Sequence, residues 1–503
     1  MSNSYRQILR ATSIIGGASA ISIVVGLLRT KAAAMLLGPS GVGLIGLFTN
    51  LVVTAATVAG MGLGNVGTRQ IAQASASGDT FRTAIARRAL LWGTLALATL
   101  GAGSFWLLRE VLADRVMGAP ALAGDIGWLA IAVALSIASV SQNALLNGMR
   151  HIGDIARINI GSALLSTVVG VSALWAWGHS GIAVFVIAAP LASFVLGHWY
   201  VSRLPHAESS RLTLHEVVGE WKTLVGLGFV FMVGALAEIV GQLTVRLLVQ
   251  HELGLEALGH FQAAWAISMT YIGFVLGAMS IDYYPRLVAV IHDHEAVNRI
   301  VNEQTEVALL LASPVLLAML GLAPWVIELL YSNQFGEAIA ILRWQVFGDV
   351  LKIASWPLGL ILLASGAGRA FLLTEWLVMG IFASLTFLLL PIMGLVATGL
   401  SFFAIYVVLL TIVFALGKRR TGFSFFAPVR WLLIGISLTA ATTMALASFS
   451  GIASATCGVV GSAAFGVFAI LRLAHAGALG GPVGRLAAVT RHQLLRMGVW
   501  RGE

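Results

Sequence analysis

The chain alternates long apolar runs with short polar or Gly/Pro-rich breaks. Runs fall near 11–37, 41–66, 88–111, 125–148, 158–178, 180–201, 223–250, 257–281, 304–324, 337–364, 369–391, 393–416, 431–449 and 452–473. Most approach or exceed the roughly 20 residues that a helix needs to cross a hydrocarbon layer of about 30 Å. Stretches such as Leu100 to Leu108 and Phe382 to Leu390 show none of the alternation of a transmembrane β-strand. The pattern therefore predicts an all-α polytopic membrane protein of about 14 transmembrane helices. Ser202 to Lys222 holds Pro205, Glu208, Arg211, Glu216 and Glu220, the longest hydrophilic break of the first half. It predicts an N-terminal six-helix lobe at 1–201, a cytoplasmic linker at 202–222 and a C-terminal six-helix lobe at 223–416. Two additional helices at 417–473 and a basic cytoplasmic tail at 474–503 complete the expected order.

The two lobes carry an internal repeat. LGPSGVG at Leu37 to Gly43 matches LGLEALG at Leu253 to Gly259, each in an outer turn between two spans and 216 residues apart. At the same offset Thr68-Arg69-Gln70-Ile71 meets Tyr284-Pro285-Arg286-Leu287, and Leu146-Asn147-Gly148 meets Ala364-Ser365-Gly366 at 218. Six helices per half return the chain to the same side, so the repeat is parallel. That is a pattern of alternating-access carriers with a site between the halves.

Composition agrees with the pattern and charge sets the orientation. Apolar residues make up 58% of the chain and charged residues 10%, against about 25% charged in soluble domains. With the N-terminus inside, 23 of the 30 Lys and Arg fall in inner segments, whereas outer segments keep Arg109, Arg115 and Arg343. The positive-inside bias predicts that both termini are cytoplasmic. The net charge of +9 is then explained by topology and by anionic inner-leaflet lipids, with no need for nucleic acid. Cys457 is the single cysteine, so no intrachain disulfide forms. Met1 to Arg10 is polar and no small-residue cleavage site follows, so the first apolar run is expected to stay as a helix.

The segment GGASAISIVVGLLRTKAAAMLLGPSGVGLIGLF, from Gly16, followed by GMGLGNVGTRQIA, resembles the O-antigen and polysaccharide flippases of the multidrug, oligosaccharidyl-lipid and polysaccharide exporter superfamily. DYYPRL at Asp282 to Leu287 and HEAVNRIVNEQTE at His294 to Glu306 add to the likeness, which covers roughly residues 11–416. The resemblance implies a two-lobed helical fold in the cell inner membrane. It also implies transport of undecaprenyl-pyrophosphate-linked repeat units from the inner to the outer leaflet, nearest to the O-antigen or enterobacterial common antigen translocases. The last two spans go beyond a twelve-helix member and are similar in number to the fourteen-helix lipid II flippases. The expected partners are the lipid-linked oligosaccharide, membrane lipids, and a polysaccharide polymerase with its chain-length machinery.

Ionisable residues at bilayer depth cost several kcal/mol and normally face a cavity or a partner. Here they are Arg29, Lys31, Glu238, Arg246, Asp349, Lys352 and Glu375. Glu238, Gln242 and Arg246 recur at a spacing of four and share one helix stripe, and Asp349 and Lys352 share a face at i, i+3. Arg29 and Lys31 are about 200° apart around their helix, so they point to different places. Arg29 is the one favoured for a cavity, with Lys31 nearer the helix end. A pyrophosphate suits the planar fork of Arg and the point charge of Lys. Arg29, Lys31, Arg246 and Lys352 are thus the candidate substrate-binding residues. The alternative for them is purely local pairing, Arg246 with Glu238 or Glu252 and Asp349 with Lys352. No Walker A motif is present, so transport is expected to draw on a proton or sodium gradient, with Glu238 and Asp349 as ion-coupling candidates.

Other signals are weaker. Gly62 to Gly67 matches GxGxxG with no strand before it, so Gly60 and Gly64 read better as a small-residue helix contact. His292, Asp293, His294 and Glu295 read as a solvated cluster, and no metal, cofactor or catalytic residue is expected. Leu486, Val489, Met497 and Trp500 beside Arg485, Arg491 and Arg496 suggest an amphipathic surface tail. Two rival functions remain. A multidrug extruder would have to tolerate a cationic cavity that repels its substrates. A membrane glycosyltransferase or polymerase would need a large acidic outer loop, and no outer loop exceeds about fifteen residues.

Overall fold

The computed structural model describes residues 3–76, 80–204 and 214–475, and no strand occurs among them. The middle of the expected linker and nearly all of the expected basic tail lie outside the described residues. The principal helices are α1 (Asn3–Gly60), α2 (Leu63–Ala76), α3 (Thr80–Leu107), α4 (Ala123–Gly148), α5 (Ile152–Trp177), α6 (Ile182–Val201) and α7 (Leu214–Ala289). They continue as α8 (His294–Gly321), α9 (Ala323–Leu330), α10 (Ala338–Ala364), α11 (Gly368–Met393), α12 (Val396–Thr421), α13 (Ala427–Ala447) and α14 (Gly451–His475). Among the described residues, eleven stretches are long and apolar enough to cross a membrane, and three of them run to 45, 50 and 46 residues. Each of the three is interrupted near its middle, at Gly38, at Gly178–Gly181 and at Gly254. Counted as two crossings each, they bring the total among the described residues to the expected fourteen. Trp175, Phe449 and Ile392 are 80%, 87% and 79% exposed, as apolar side chains are when lipid is the solvent.

The repeat is visible in the backbone. Gly38 (φ 65°, ψ −168°) and Gly254 (φ 86°, ψ 179°) are the non-helical residues within α1 and α7, at the two positions that the offset of 216 pairs. A positive φ of this kind suits glycine, whose missing Cβ removes the clash an L side chain would meet. The first turn is tight enough that a Cβ at Gly41 would overlap that of Leu37, although i, i+4 side chains of a straight helix stand about 5–6 Å apart.

Compactness divides the chain differently from the sequence boundary at 202–222. One unit gathers Met1–Ala263, Glu328–Glu337 and Glu375–Ala397; the other gathers Ala264–Ile327, Ala338–Thr374 and Thr398–Glu503. In the first unit α4 packs on α2, α3 and α6, and α1 packs on α5. Of the expected small-residue pair, Gly64 makes a close contact, a Cβ there coming within 2.7 Å of Val140, whereas one at Gly60 would meet Ile137 only at 3.8 Å. Gly43 meets the second turn, since a Cβ there would fall 2.5 Å from the Leu255 carbonyl and 2.8 Å from the Gly259 nitrogen. A Cβ at Gly259 would in turn collide with the Pro39 carbonyl. Gly43 and Gly259 are the two ends of one 216-residue offset, so the repeated turns pack on each other through equivalent positions.

In the second unit Tyr283, Leu287, Val297, Val301, Leu358, Ile361, Val413 and Phe423 form a buried cluster. Asp293 caps α8, accepting hydrogen bonds from the backbone N–H of Glu295 (3.1 Å) and Ala296 (3.0 Å). This gives the expected His292–Glu295 cluster a structural member, and no metal-binding group of acidic, His or Cys residues occurs among the described residues. Asn302 is buried and ties down the approach to α13. Its amide donates to the Ser424 carbonyl at 2.9 Å and its oxygen accepts from the Phe426 N–H at 2.7 Å. The last helix docks through glycine: a Cβ at Gly458 would lie 2.7 Å from Gly321 Cα, which lets α14 approach α8 backbone to backbone.

Candidate functional site

Arg29 sits in α1, half-buried, and lines a cavity of about 520 Å³ within the first unit. Its guanidinium donates from Nη2 to the Phe185 carbonyl and from Nη1 to Ser166 Oγ at 3.4 Å. It also lies 4.0 Å over the Phe185 ring. Gly170 on α5 leaves the space for it, because a Cβ there would meet the Phe185 ring at 2.9 Å. Nε of Arg29 is buried with no hydrogen-bond partner among the described residues. α1, α4 and α6 supply the remaining lining, which includes Thr30, Thr49, Ser136, Ser139, Asn143 and Ser193 and, among the described residues, no carboxylate. A second cavity of about 330 Å³ shares Val53, Ser136 and Val140 with the first and extends to Asn65, Met232 and Ala235. The two are contiguous, and their sizes are those of small-ligand sites, roughly 300–1,000 Å³.

Lys31 goes elsewhere, as the angular separation requires. Its Nζ donates to the Leu329 carbonyl, in the last turn of α9. A cation there caps an unpaired carbonyl and opposes the negative end of the helix dipole.

The stripe on α7 forms a hydrogen-bonded chain. Gln242 Nε2 donates to Glu238 Oε1 at 3.1 Å. Arg246 donates from Nη1 to the Gln242 carbonyl at 3.1 Å and from Nε to Gln262 Oε1 at 3.1 Å, and it lies 5.8 Å from the centre of the Phe261 ring. Arg246 is only 4% exposed, whereas Glu238 at the other end of the chain is exposed. Glu238, one of the two ion-coupling candidates, is therefore exposed and held at one end of this chain rather than enclosed. Gln262 had no signal in the sequence. It lies beyond the Gly254 break, where helical periodicity from Arg246 no longer applies.

Asp349 and Lys352 lie in the second unit, on α10. Asp349 is fully buried; its Oδ2 accepts from Ser268 Oγ at 2.6 Å and its Oδ1 has no hydrogen-bond partner among the described residues. Lys352 Nζ is 3.4 Å from Met269 Sδ and lies over the rings of Tyr406 at 5.3 Å and Phe402 at 6.0 Å. An ammonium over aromatic faces is partly compensated for lost water. The six candidates thus divide, with Arg29, Lys31, Glu238 and Arg246 in one unit and Asp349 and Lys352 in the other. The sequence reading missed the hydroxyl and amide lining of the Arg29 cavity. Ser136, Ser139 and Asn143 recur at i, i+3 and i+7 of an apolar helix, a periodicity that could have found them.

A glycine-broken, fourteen-span bundle with a repeat across two halves and a cation-bearing cavity defines a polytopic carrier fold. The fold is similar to that of an inward-facing multidrug resistance transporter of the MATE family and MOP superfamily (TM-score 0.69, 16% identity), covering 80% of this chain and 94% of that one. It is also similar to the lipid II flippase MurJ in an inward closed conformation (TM-score 0.65, 14% identity), where coverage reaches 90% of this chain and 97% of that one. A family of polysaccharide biosynthesis proteins matches residues 33–340, and the chain belongs to that family. Among curated relatives, the lipid III flippase of Escherichia coli (strain K12) is 25% identical over 415 residues, 80% of this chain and 96% of that protein.

Proposed function

We propose that this protein flips an undecaprenyl-pyrophosphate-linked oligosaccharide from the inner to the outer leaflet of the cell inner membrane by alternating access. The observation that carries the reading is Arg29, a cation within an apolar span on the wall of a cavity whose polar lining is hydroxyls and an amide. The positive charge of a guanidinium on that wall suits phosphate oxygens. Family membership and the likeness to a lipid III flippase support a lipid-linked glycan precursor as cargo. A multidrug extruder is the second reading, since the fold is shared with one. The cavity disfavours it, because an organic cation would meet Arg29 and, among the described residues, no carboxylate.

Energy coupling falls to Asp349 in this proposal. Its Oδ1, without a hydrogen-bond partner among the described residues and in an enclosed position beside Ser268, suits exchange of a proton or sodium ion. Both termini face the cytoplasm, as the distribution of Lys and Arg argues. Proteoliposomes carrying an undecaprenyl-pyrophosphate-linked saccharide test the assignment. Wild-type protein is expected to move it to the opposite leaflet, faster with an imposed ion gradient, and Asp349→Asn is expected to abolish the gradient response. Transport of organic cations without movement of the lipid-linked sugar would overturn the function. An Asp349→Asn variant that still follows the gradient would remove the coupling role.

A further inference from the structure

The turns at Gly38 and Gly254 follow the first and seventh crossings. The connections from α3 to α4 and from α8 to α10 follow the third and ninth, so all four loops share one side of the membrane. With cytoplasmic termini that side is the outer one. The two connections also obey the repeat, since an offset of 216 carries residues 112–121 onto 328–337. Each is seated on the turn of the opposite half. Gln250, just before the Gly254 turn, donates from Nε2 to the Met117 carbonyl at 2.6 Å, and a Cβ at Gly118 would lie 3.3 Å from His251 Cε1. Reciprocally, Lys31 of the first half donates to the Leu329 carbonyl, and a Cβ at Gly38 would lie 3.1 Å from Gln334 Oε1. Gly118 and Gln334 are themselves the two ends of one 216-residue offset.

Each seat also buries an apolar side chain. Met117 is buried in one loop, and in the other Phe335 is fully buried, edge-on to His260 with ring centres 5.8 Å apart and 5.0 Å from the ring of Tyr331. His260 follows Gly259, the residue that meets the Pro39 carbonyl, so Phe335 braces the crossing of the two turns. Compactness records the same seat: Glu328–Glu337 groups with the first unit, although the stretches on either side of it group with the second. A carrier that opens outward has to part the crossed turns, and a loop of one half cannot stay seated on the turn of the other while they part. We infer that residues 112–121 and 328–337 form a reciprocal clasp, closed in this structure, whose two straps release together to let cargo leave on the outer side. The inference rests on the flippase reading and adds to it the device that closes the exit.

The test uses the full chain in nanodiscs, with Cys457→Ser removing the native thiol, Phe335→Cys placing one under His260, and a water-soluble maleimide as probe. Labelling of Phe335→Cys is expected to be slow and to quicken about fivefold when Gln250→Ala frees the other strap, because a local opening exposes what it buried. Leu358→Cys, in the buried cluster of the second unit, should stay unlabelled with and without Gln250→Ala, which separates release of the clasp from general unfolding. In proteoliposomes, protein already labelled at Phe335→Cys cannot reseat its strap and should flip an undecaprenyl-pyrophosphate-linked saccharide about tenfold more slowly than the unlabelled variant. If Phe335→Cys does not fold, Met117→Cys combined with Lys31→Ala reads the same coupling from the other strap. Labelling indifferent to the loosened partner strap, or flipping unchanged by the label, would overturn the clasp. If wild-type protein flips nothing while Gln250→Ala still quickens labelling at Phe335→Cys, the flippase reading fails and the linked straps stand.

Discussion

The turn around Gly38 and the turn around Gly254 are the same structure built twice, with different side chains hung on it. Both break a long helix at one positive-φ glycine, and Gly43 of the first abuts Gly259 of the second. Three residues on, the equivalence ends. Position 46 is glycine, and the equivalent position 262 is a glutamine whose side chain occupies the space that a Cβ at Gly46 would need, 2.5 Å away. Gln262 Oε1 also accepts from Nε of Arg246, while Nε of Arg29 finds no acceptor among the described residues. The two arginines are not themselves equivalent, since the same offset pairs Arg29 with Val245 and Arg246 with Thr30. Arg246 is fastened to glutamines and nearly fully buried, whereas Arg29 is held by Ser166 and Phe185 and lines a cavity.

The largest effect is expected where the two turns touch. Gly259→Leu should prevent the close crossing, because the Pro39 carbonyl is backbone and cannot move aside. Overpacking of this kind costs about 1–3 kcal/mol or more, so folded yield and thermal midpoint should both fall well below wild type. Gly273→Ala, with open space around the position, is the control; equal loss in both variants would show that the crossing is not what matters.

The two arginines should then separate by readout. Arg29→Ala is expected to reduce flipping at least tenfold at normal abundance. Arg246→Ala strands the amides of Gln242 and Gln262 and should destabilise by about 1–3 kcal/mol, seen as a lower thermal midpoint. A reversed outcome, with Arg29→Ala unstable and Arg246→Ala stable but inactive, would invert the comparison.

The smallest effect belongs to Lys31. Replacing it with Ala removes the contact to the Leu329 carbonyl, and a cation at a helix C-terminus contributes about 0.3–1 kcal/mol. A slight drop in thermal midpoint with flipping retained is expected. Transport falling as far as in Arg29→Ala would show that Lys31 meets the substrate as well.

Much of this protein was legible without coordinates because lipid constrains sequence severely. A span must be long and apolar to satisfy its backbone away from water, so the fourteen crossings, and the turns repeated 216 residues apart, are written in runs of Leu, Val, Ala and Gly. Arg29, Arg246, Asp349 and Lys352 stood out for the same reason, a charge being expensive where they lie. Their partners did not stand out. Gln262 reaches Arg246 across a helix break, Ser268 reaches Asp349 from 81 residues away, and Ser166 and Phe185 reach Arg29 from α5 and α6. Helical periodicity links positions on one helix only, and a serine or glutamine in a span is inexpensive enough to pass unnoticed. Tertiary packing alone decided that Lys31 caps a helix, that Glu238 is exposed, and that Asn143 Oδ1 is buried without a partner among the described residues. Each of those outcomes depends on which side chain another helix brings within about 3 Å of a polar atom.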